Sequence, residues 1–113
     1  LIRLTPIAKD LGAVNTIWPE SGRLVGDNTD VAGVLEATDR LEASGPGLVC
    51  GTGGSARSVA AAARERGVTL LVRSREPARA RDFVDWAGGI GVDAIPDDGR
   101  SAGSAINATP LCL

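Results

Sequence analysis

An α/β fold built on a parallel sheet, incomplete and preceded by the end of another unit, is what this 113-residue sequence predicts. Three observations carry the prediction. From residue 47 onward, short apolar runs alternate with helix-length runs at the spacing of βαβ units. A glycine-rich stretch, "GTGGSA", joins the first of those apolar runs to the first of those helices. Upstream the texture differs: two β-rich runs flank a turn signal, the pattern of a hairpin.

The elements follow in chain order. "LTPIAKDLG" (4–12) reads as a short helix, with Thr5 as cap, Pro6 at the first helical position and Gly12 ending it. "AVNTIW" (13–18) and "RLVG" (23–26) are strand-like, and "PESG" (19–22) between them is the predicted turn. A helix is expected over roughly 31–43, capped by Asn28, Thr29 or Asp30. Its apolar positions Val31, Val34, Leu35, Thr38 and Leu41 keep the 3–4 spacing of one helical face. "SGPG" (44–47) is a linker signal. Beyond it come a strand in "GLVC", a helix over 58–67 ended by Gly67, and a second strand in "VTLLV" (68–72). A helix over 76–87 starts at Pro77 and sets Phe83 and Trp86 on one face. "VDAI" (92–95) and "SAINAT" (104–109) complete the strands. Both ends look cut, because the first residues are apolar without a cap and the last strand has no crossover helix after it.

Composition narrows the chemistry. Hydrophobic residues make up 43% and charged residues 23%, ordinary for a globular chain. No apolar run approaches the ~20 residues of a membrane span, and no basic-then-apolar leader is present, so no membrane association and a cytoplasmic location are expected. A net charge of −2, from 12 basic and 14 acidic residues, argues against nucleic acid as a partner. Eleven of the basic residues are Arg, and Lys9 is the sole Lys. With no His and only Cys50 and Cys112, neither a metal site nor a His-based triad is expected. Cys50, in an apolar strand, reads as a small buried hydrophobe.

Gly51-x-Gly53-x-x-Ala56 lies between a predicted strand and a predicted helix. In a dinucleotide site the first Gly makes the turn and the second admits the pyrophosphate. A small third residue lets helix and strand pack closely, and the helix N-terminus faces the anion. The competing reading is a glycine-rich structural turn. After the second strand come Arg73, Ser74 and Arg75, without a carboxylate before Glu76. Guanidinium groups suit a 2′-phosphate, where an acidic residue would suit a free ribose hydroxyl, so NADP is preferred to NAD. The alternative is a solvated basic surface. "GDNTDVAGV" (26–34) raises a parallel choice, since Asp30 is either a helix cap or a substrate ligand, while Asp27 reads as solvated.

Taken together, "GAVNT" (12–16), "GRLVGDNTDVAG" (22–33), "GTGGSAR" (51–57), "VRS" (72–74) and "INATP" (106–110) resemble, in order and spacing, the shikimate dehydrogenase family. Quinate dehydrogenases share this framework. The resemblance implies a substrate domain followed by a Rossmann-like NADP-binding domain, with the active site in the cleft between them. It implies reversible NADPH-dependent reduction of 3-dehydroshikimate to shikimate, a step of chorismate and aromatic amino acid biosynthesis. Residues 1–30 would then close the substrate-binding domain, 31–46 would connect, and 47–113 would form the truncated cofactor domain. Asn15 and Asp30 would bind substrate, Asp30 also serving catalysis beside a Lys. Gly51, Thr52, Gly53, Gly54 and Ser55 would hold the pyrophosphate. Arg73, Ser74 and Arg75 would take the 2′-phosphate, and Thr109 would lie on the nicotinamide side. Small-molecule substrates are the implied partners, and a homodimer is compatible.

The chain departs from the family pattern in places. The N-V-T-x-P-x-K motif that carries the catalytic Lys is absent, and Lys9 does not match its position. So are the S-x-S motif and the Gln-bearing C-terminal segment. "TPLCL" stands where T-P-x-G-M is usual, putting Cys112 at a loop Gly, and "VRS" replaces N-R-T. A non-catalytic NADP-binding module of the same fold is the alternative reading.

Overall fold

The computed structural model describes residues 2–40 and 44–109. Leu41 and Cys112, both named above, lie outside the described residues. The polypeptide builds two sheets bridged by helices. The first is three-stranded, order β1-β3-β2, from β1 (Ile2–Leu4), β2 (Thr16–Glu20) and β3 (Arg23–Asp27). The expected hairpin is present, with β2 and β3 antiparallel. Its turn is tighter than the predicted four residues. Pro19 and Glu20 belong to the strand, and Ser21 (φ 51°) with Gly22 (φ 76°) make a two-residue turn of the hand that matches strand twist.

Strand β1 was not expected. Leu4, read as the start of a helix, ends β1, which pairs in parallel with β3 at Ile2↔Leu24 and Leu4↔Gly26. Three residues whose partners lie some twenty positions away carry no local strand signal. The helix itself, α1 (Pro6–Leu11), is capped as expected. The Thr5 hydroxyl accepts from the Ala8 N–H, and Gly12 closes the helix in the left-handed region.

The second sheet is fully parallel, order β6-β5-β4-β7, from β4 (Gly47–Cys50), β5 (Leu70–Arg73), β6 (Ala94–Pro96) and β7 (Ser104–Asn107). The chain moves outward from β4 to β6 and then returns to the other side of β4. That reversal makes a topological switch point between β4 and β7, where open α/β sheets bind ligands. Helices α3 (Gly54–Arg66) and α4 (Pro77–Gly89) connect the first three strands. Both start or end a few residues beyond their expected limits, because Gly54 is already helical and Gly88 and Gly89 still are. Residues 97–103 run from β6 to β7 without a helix.

Composition explains the packing. In α3, Ala56, Val59, Ala60 and Ala63 face the sheet and join Val49, Leu70, Val72 and Phe83 in the main core. Ala61 and Ala62 face the other way, against Leu11 of α1 and Val31 of α2 (Asp30–Arg40). A helix buried on both sides needs short side chains to let its neighbours approach, which accounts for the alanine run. Phe83 and Trp86 lie together as expected, ring centroids 5.3 Å apart. Cys50 is buried, as expected, and free. Among the described residues no helix is long and apolar enough to cross a membrane, and no cluster of His, Cys, Asp or Glu is arranged to hold a metal ion.

Candidate functional site

A cleft of about 590 Å³ opens at the switch point, lined by Thr29, Asp30, Ser55, Ser58, Asn107 and Ala108 among others. One wall is α2 with the residue before it, from Thr29 to Thr38, and the other is the first turns of α3 with the length of β7. Polar residues that the sequence singled out separately thus come to one place.

On the α2 wall, Asn15 and Asp30 are hydrogen-bonded, the Asn15 Nδ2 donating to Asp30 Oδ1 at 2.7 Å. The orientation of that amide is fixed from its other end. Asn15 Oδ1 accepts from the Thr29 N–H at 3.0 Å, from the Thr16 hydroxyl at 3.0 Å and from the Thr29 hydroxyl at 3.3 Å. Both residues remain exposed, and Asp30 lines the cleft. Asp30 is not the residue that ties down the start of α2. Asn28 does so: buried, its Oδ1 accepts from the Asp30 N–H at 3.0 Å while its Nδ2 donates to the Ala13 carbonyl. Asp30 is therefore left with an oxygen for something else. Asp27, expected to be solvated, instead accepts from the Thr5 hydroxyl at 2.6 Å and braces the cap of α1. The sequence signal for both was the same polar run, which could not say which carboxylate turns inward.

On the α3 wall, the glycine loop has the properties an anion site needs. Gly53 is the N-cap of α3 and supplies no side-chain bond to it. A Cβ at Gly53 or Gly54 would meet nothing within 4 Å, so the space in front of the helix end is open. The first-turn N–H groups of a 13-residue helix face that space with the positive end of its dipole. The donor set suits a pyrophosphate. Gly51 has a different reason to be glycine. Its φ is +117°, and a Cβ there would sit 2.9 Å from the Ala108 carbonyl oxygen. There the loop and the chain leaving β7 come into close contact. Ala56, fully buried, packs on Val49 as the motif requires. Ser55 lines the cleft, whereas Thr52 lies round the loop beside Arg57, Arg79 and Trp86. Thr109 stands at the mouth of the same wall, its hydroxyl donating to Asn107 Oδ1 at 2.6 Å.

At the end of β5, Arg73 is exposed but not solitary. Its Nε and Nη2 both donate to Asp97 Oδ2, at 2.9 and 2.7 Å. The Asp97 carboxyl is held below the usual carboxylate range by the Gly99 N–H first and by Arg73 second. This pair was not foreseen, since Asp97 follows β6 and meets Arg73 only through the β5–β6 register. Ser74 accepts from the Glu76 N–H at 3.2 Å, and Arg75 is exposed. Lys9, in the last turn of α1, is exposed and does not line the cleft.

Strand order, glycine loop and switch-point cleft define a Rossmann-like protein of the dinucleotide-fold class. Comparison with known proteins narrows the class. A shikimate dehydrogenase (NADP(+)) of Thermus thermophilus is 42% identical over 113 residues, covering 97% of this chain and 42% of the relative. That of Gluconobacter oxydans is 45% identical over 89 residues, covering 76% of this chain and 32% of the relative. The chain belongs to the shikimate dehydrogenase family, and it spans about two fifths of the length of most curated relatives it matches.

Solved structures agree. A Thermus thermophilus shikimate 5-dehydrogenase, in complex with NADP(H) and shikimate, superposes with a TM-score of 0.79 at 41% identity, covering 94% of this chain and 41% of that one. A Corynebacterium glutamicum quinate dehydrogenase in complex with NAD gives 0.80 at 30% identity, covering 96% and 43%. No family model matches the chain.

Proposed function

We propose that this chain forms the cleft of an NADP-dependent shikimate dehydrogenase that interconverts 3-dehydroshikimate and shikimate, within chorismate biosynthesis. The observation that carries the reading is that Asp30, held by the Asn15 amide, lines one cleft together with Ser55 of the first turn of α3. A site for nucleotide alone has no use for an oriented amide–carboxylate pair on the wall opposite its phosphate loop. A polyhydroxylated ring has, because each hydroxyl both donates and accepts, and a buried hydroxyl left unpaired costs affinity.

The roles divide accordingly. Residues 1–30, with the first sheet, serve the substrate, 31–46 connect, and 47–113 serve the cofactor. When bound, the dinucleotide supplies or accepts the hydride. Gly51, Thr52, Gly53, Gly54 and Ser55 form the loop that cradles its pyrophosphate, Gly51 by making the turn, since its own N–H is held by the Arg73 carbonyl, while Arg73, Ser74 and Arg75 receive the 2′-phosphate and Thr109 borders the nicotinamide side. Asn15 orients the substrate hydroxyls, and Asp30 accepts from the hydroxyl at the reacting carbon. Reduction of a ketone also needs a proton delivered to the developing alkoxide. Asp30 as a carboxylate holds the donor rather than replacing it, and Lys9 is not that donor.

The test is oxidation of shikimate with NADP by the protein that carries this chain, followed through NADPH absorbance, with quinate and NAD as comparison arms. Turnover with shikimate and NADP, exceeding that with quinate, is the expected result. Turnover confined to quinate would move the assignment to quinate dehydrogenase. NADP binding without turnover on either would reduce the protein to a nucleotide-binding module.

A further inference from the structure

We infer that Asp97 is a further specificity-determining residue of the cofactor site: its carboxylate, seated on one edge of Arg73, weakens the preference for a 2′-phosphate over a free ribose hydroxyl. The inference rests on the proposal that Arg73 meets the 2′-phosphate.

A guanidinium offers five N–H donors along three edges. Asp97 occupies the side edge, one oxygen bridging Nε and Nη2. The terminal fork of Nη1 and Nη2 is left over, and with 60% of the Arg73 side chain exposed it is open to a ligand. Asp97 is the fixed member of the pair. Its side chain is only 14% exposed, its Oδ1 accepts from the Gly99 N–H at 3.1 Å, and its own N–H donates to the Val72 carbonyl at 2.8 Å. A phosphate arriving at the free fork therefore does not displace the carboxylate. It meets a pair whose net charge is zero, where an unpaired Arg73 would present a full positive charge.

Of the neighbours, only Arg75 offers the phosphate an unpaired charge. Ser74 accepts from the Glu76 N–H and keeps only a neutral hydroxyl donor for a ligand, and Arg79 is paired with Glu76 at 3.0 Å. Arg75 is the nearby cation without an ion pair to a described residue. For a cofactor lacking the phosphate the balance reverses. In such sites a carboxylate accepts from the ribose 2′-hydroxyl, and Asp97 supplies at the end of β6 the acid that is missing at the end of β5.

Asp97→Asn keeps an acceptor oxygen for Arg73 and removes the charge, at the cost of the Gly99 hydrogen bond, where an NH2 now faces an N–H. In the protein that carries this chain, NADP and NAD are titrated by calorimetry into the wild type, Asp97→Asn and Arg73→Ala, at low and high salt. Asp97→Asn is expected to tighten NADP about five- to tenfold at low ionic strength, with a smaller gain at high salt, and to leave NAD unchanged or weaker. Unchanged or weaker NADP binding in a folded Asp97→Asn protein would overturn the inference. Asp97→Ser, in which the charge is also gone, answers the same question if asparagine lowers the melting temperature. Arg73→Ala separates the two levels. If it leaves NADP affinity intact, the assignment of Arg73 itself falls. If it weakens NADP while Asp97→Asn fails to tighten it, only the role of Asp97 falls.

Discussion

Gly51 and Gly53 stand two residues apart in one loop, and the structure predicts opposite consequences for replacing them. At Gly51 the backbone φ is +117°, and an added Cβ would lie 2.9 Å from the Ala108 oxygen, 3.0 Å from its carbonyl carbon and 3.2 Å from the Thr109 methyl. Two of these contacts are with backbone, which cannot rotate away. The strained φ costs a residue other than glycine about 1–3 kcal/mol. Forcing the loop off Ala108 adds about 1–3 kcal/mol more. Gly51→Ala should therefore destabilise by about 2–6 kcal/mol, a large part of the ~5–15 kcal/mol that holds a typical domain. At Gly53, φ is −87° and a Cβ meets nothing within 4 Å, so Gly53→Ala should leave stability within about 0.5 kcal/mol. The ligand reverses the order of interest. A methyl group at Gly53 enters the open space before α3, which the proposed function gives to the pyrophosphate, and should weaken NADP binding strongly. The assay is urea denaturation of both variants, each paired with an NADP titration. A Gly51→Ala midpoint equal to that of the wild type would refute the packing argument. A Gly53→Ala protein with undiminished NADP affinity would refute the phosphate argument.

Other outcomes follow from the same geometry. Asp30→Asn keeps an oxygen for the Asn15 amide, so melting temperature and NADP affinity should hold while turnover falls at least ~100-fold; near-normal turnover would leave Asp30 without a catalytic role. Arg57→Ala removes a 2.9 Å bond to the Leu11 carbonyl and a guanidinium 5.1 Å from the Trp86 centroid. Stability should drop by about 1–3 kcal/mol with NADP affinity unchanged, and a denaturation midpoint that does not move would count against it. Asp97, whose folded pKa is depressed, stabilises the fold above its unfolded value of about 3.9 and loses that contribution as pH falls through the lower folded value. Below about pH 4 the wild type should therefore lose stability more steeply than Asp97→Asn; parallel curves would contradict the assignment.

What could be read in advance was local. The glycine loop, the alternation of strands and helices, the Thr5 and Gly12 caps and the burial of Cys50 each depend on neighbours within a few residues. The sequence pattern also singled out Asn15 and Asp30, through resemblance. It could not say which of Asn28, Thr29 and Asp30 holds the helix start, because the place of Asn28, bonded to the Ala13 carbonyl, follows from the fold of β2 onto β3. The failures were long-range. β1 exists only through its pairing with β3, Asp27 turns inward only because Thr5 lies across from it, and Arg73 meets Asp97 across 24 positions of chain.

The alanine run of α3 has a bearing on alignment. Asp30 is the first residue of α2, the pyrophosphate loop leads into the first turn of α3, and the two helices are locked by Val31 on Ala61 and Ala62. Arg66 fastens the far end, donating to the Leu35 carbonyl at 2.7 Å and pairing with Asp39. The carboxylate and the loop are thus mounted on one stiff frame, and the span between them is set by side chains that touch neither ligand. One methylene added at Ala61 would push the two mountings apart and, on the proposed function, lengthen the path of the hydride. Each ligand would still find its own wall undisturbed, so the damage would fall on the rate of transfer.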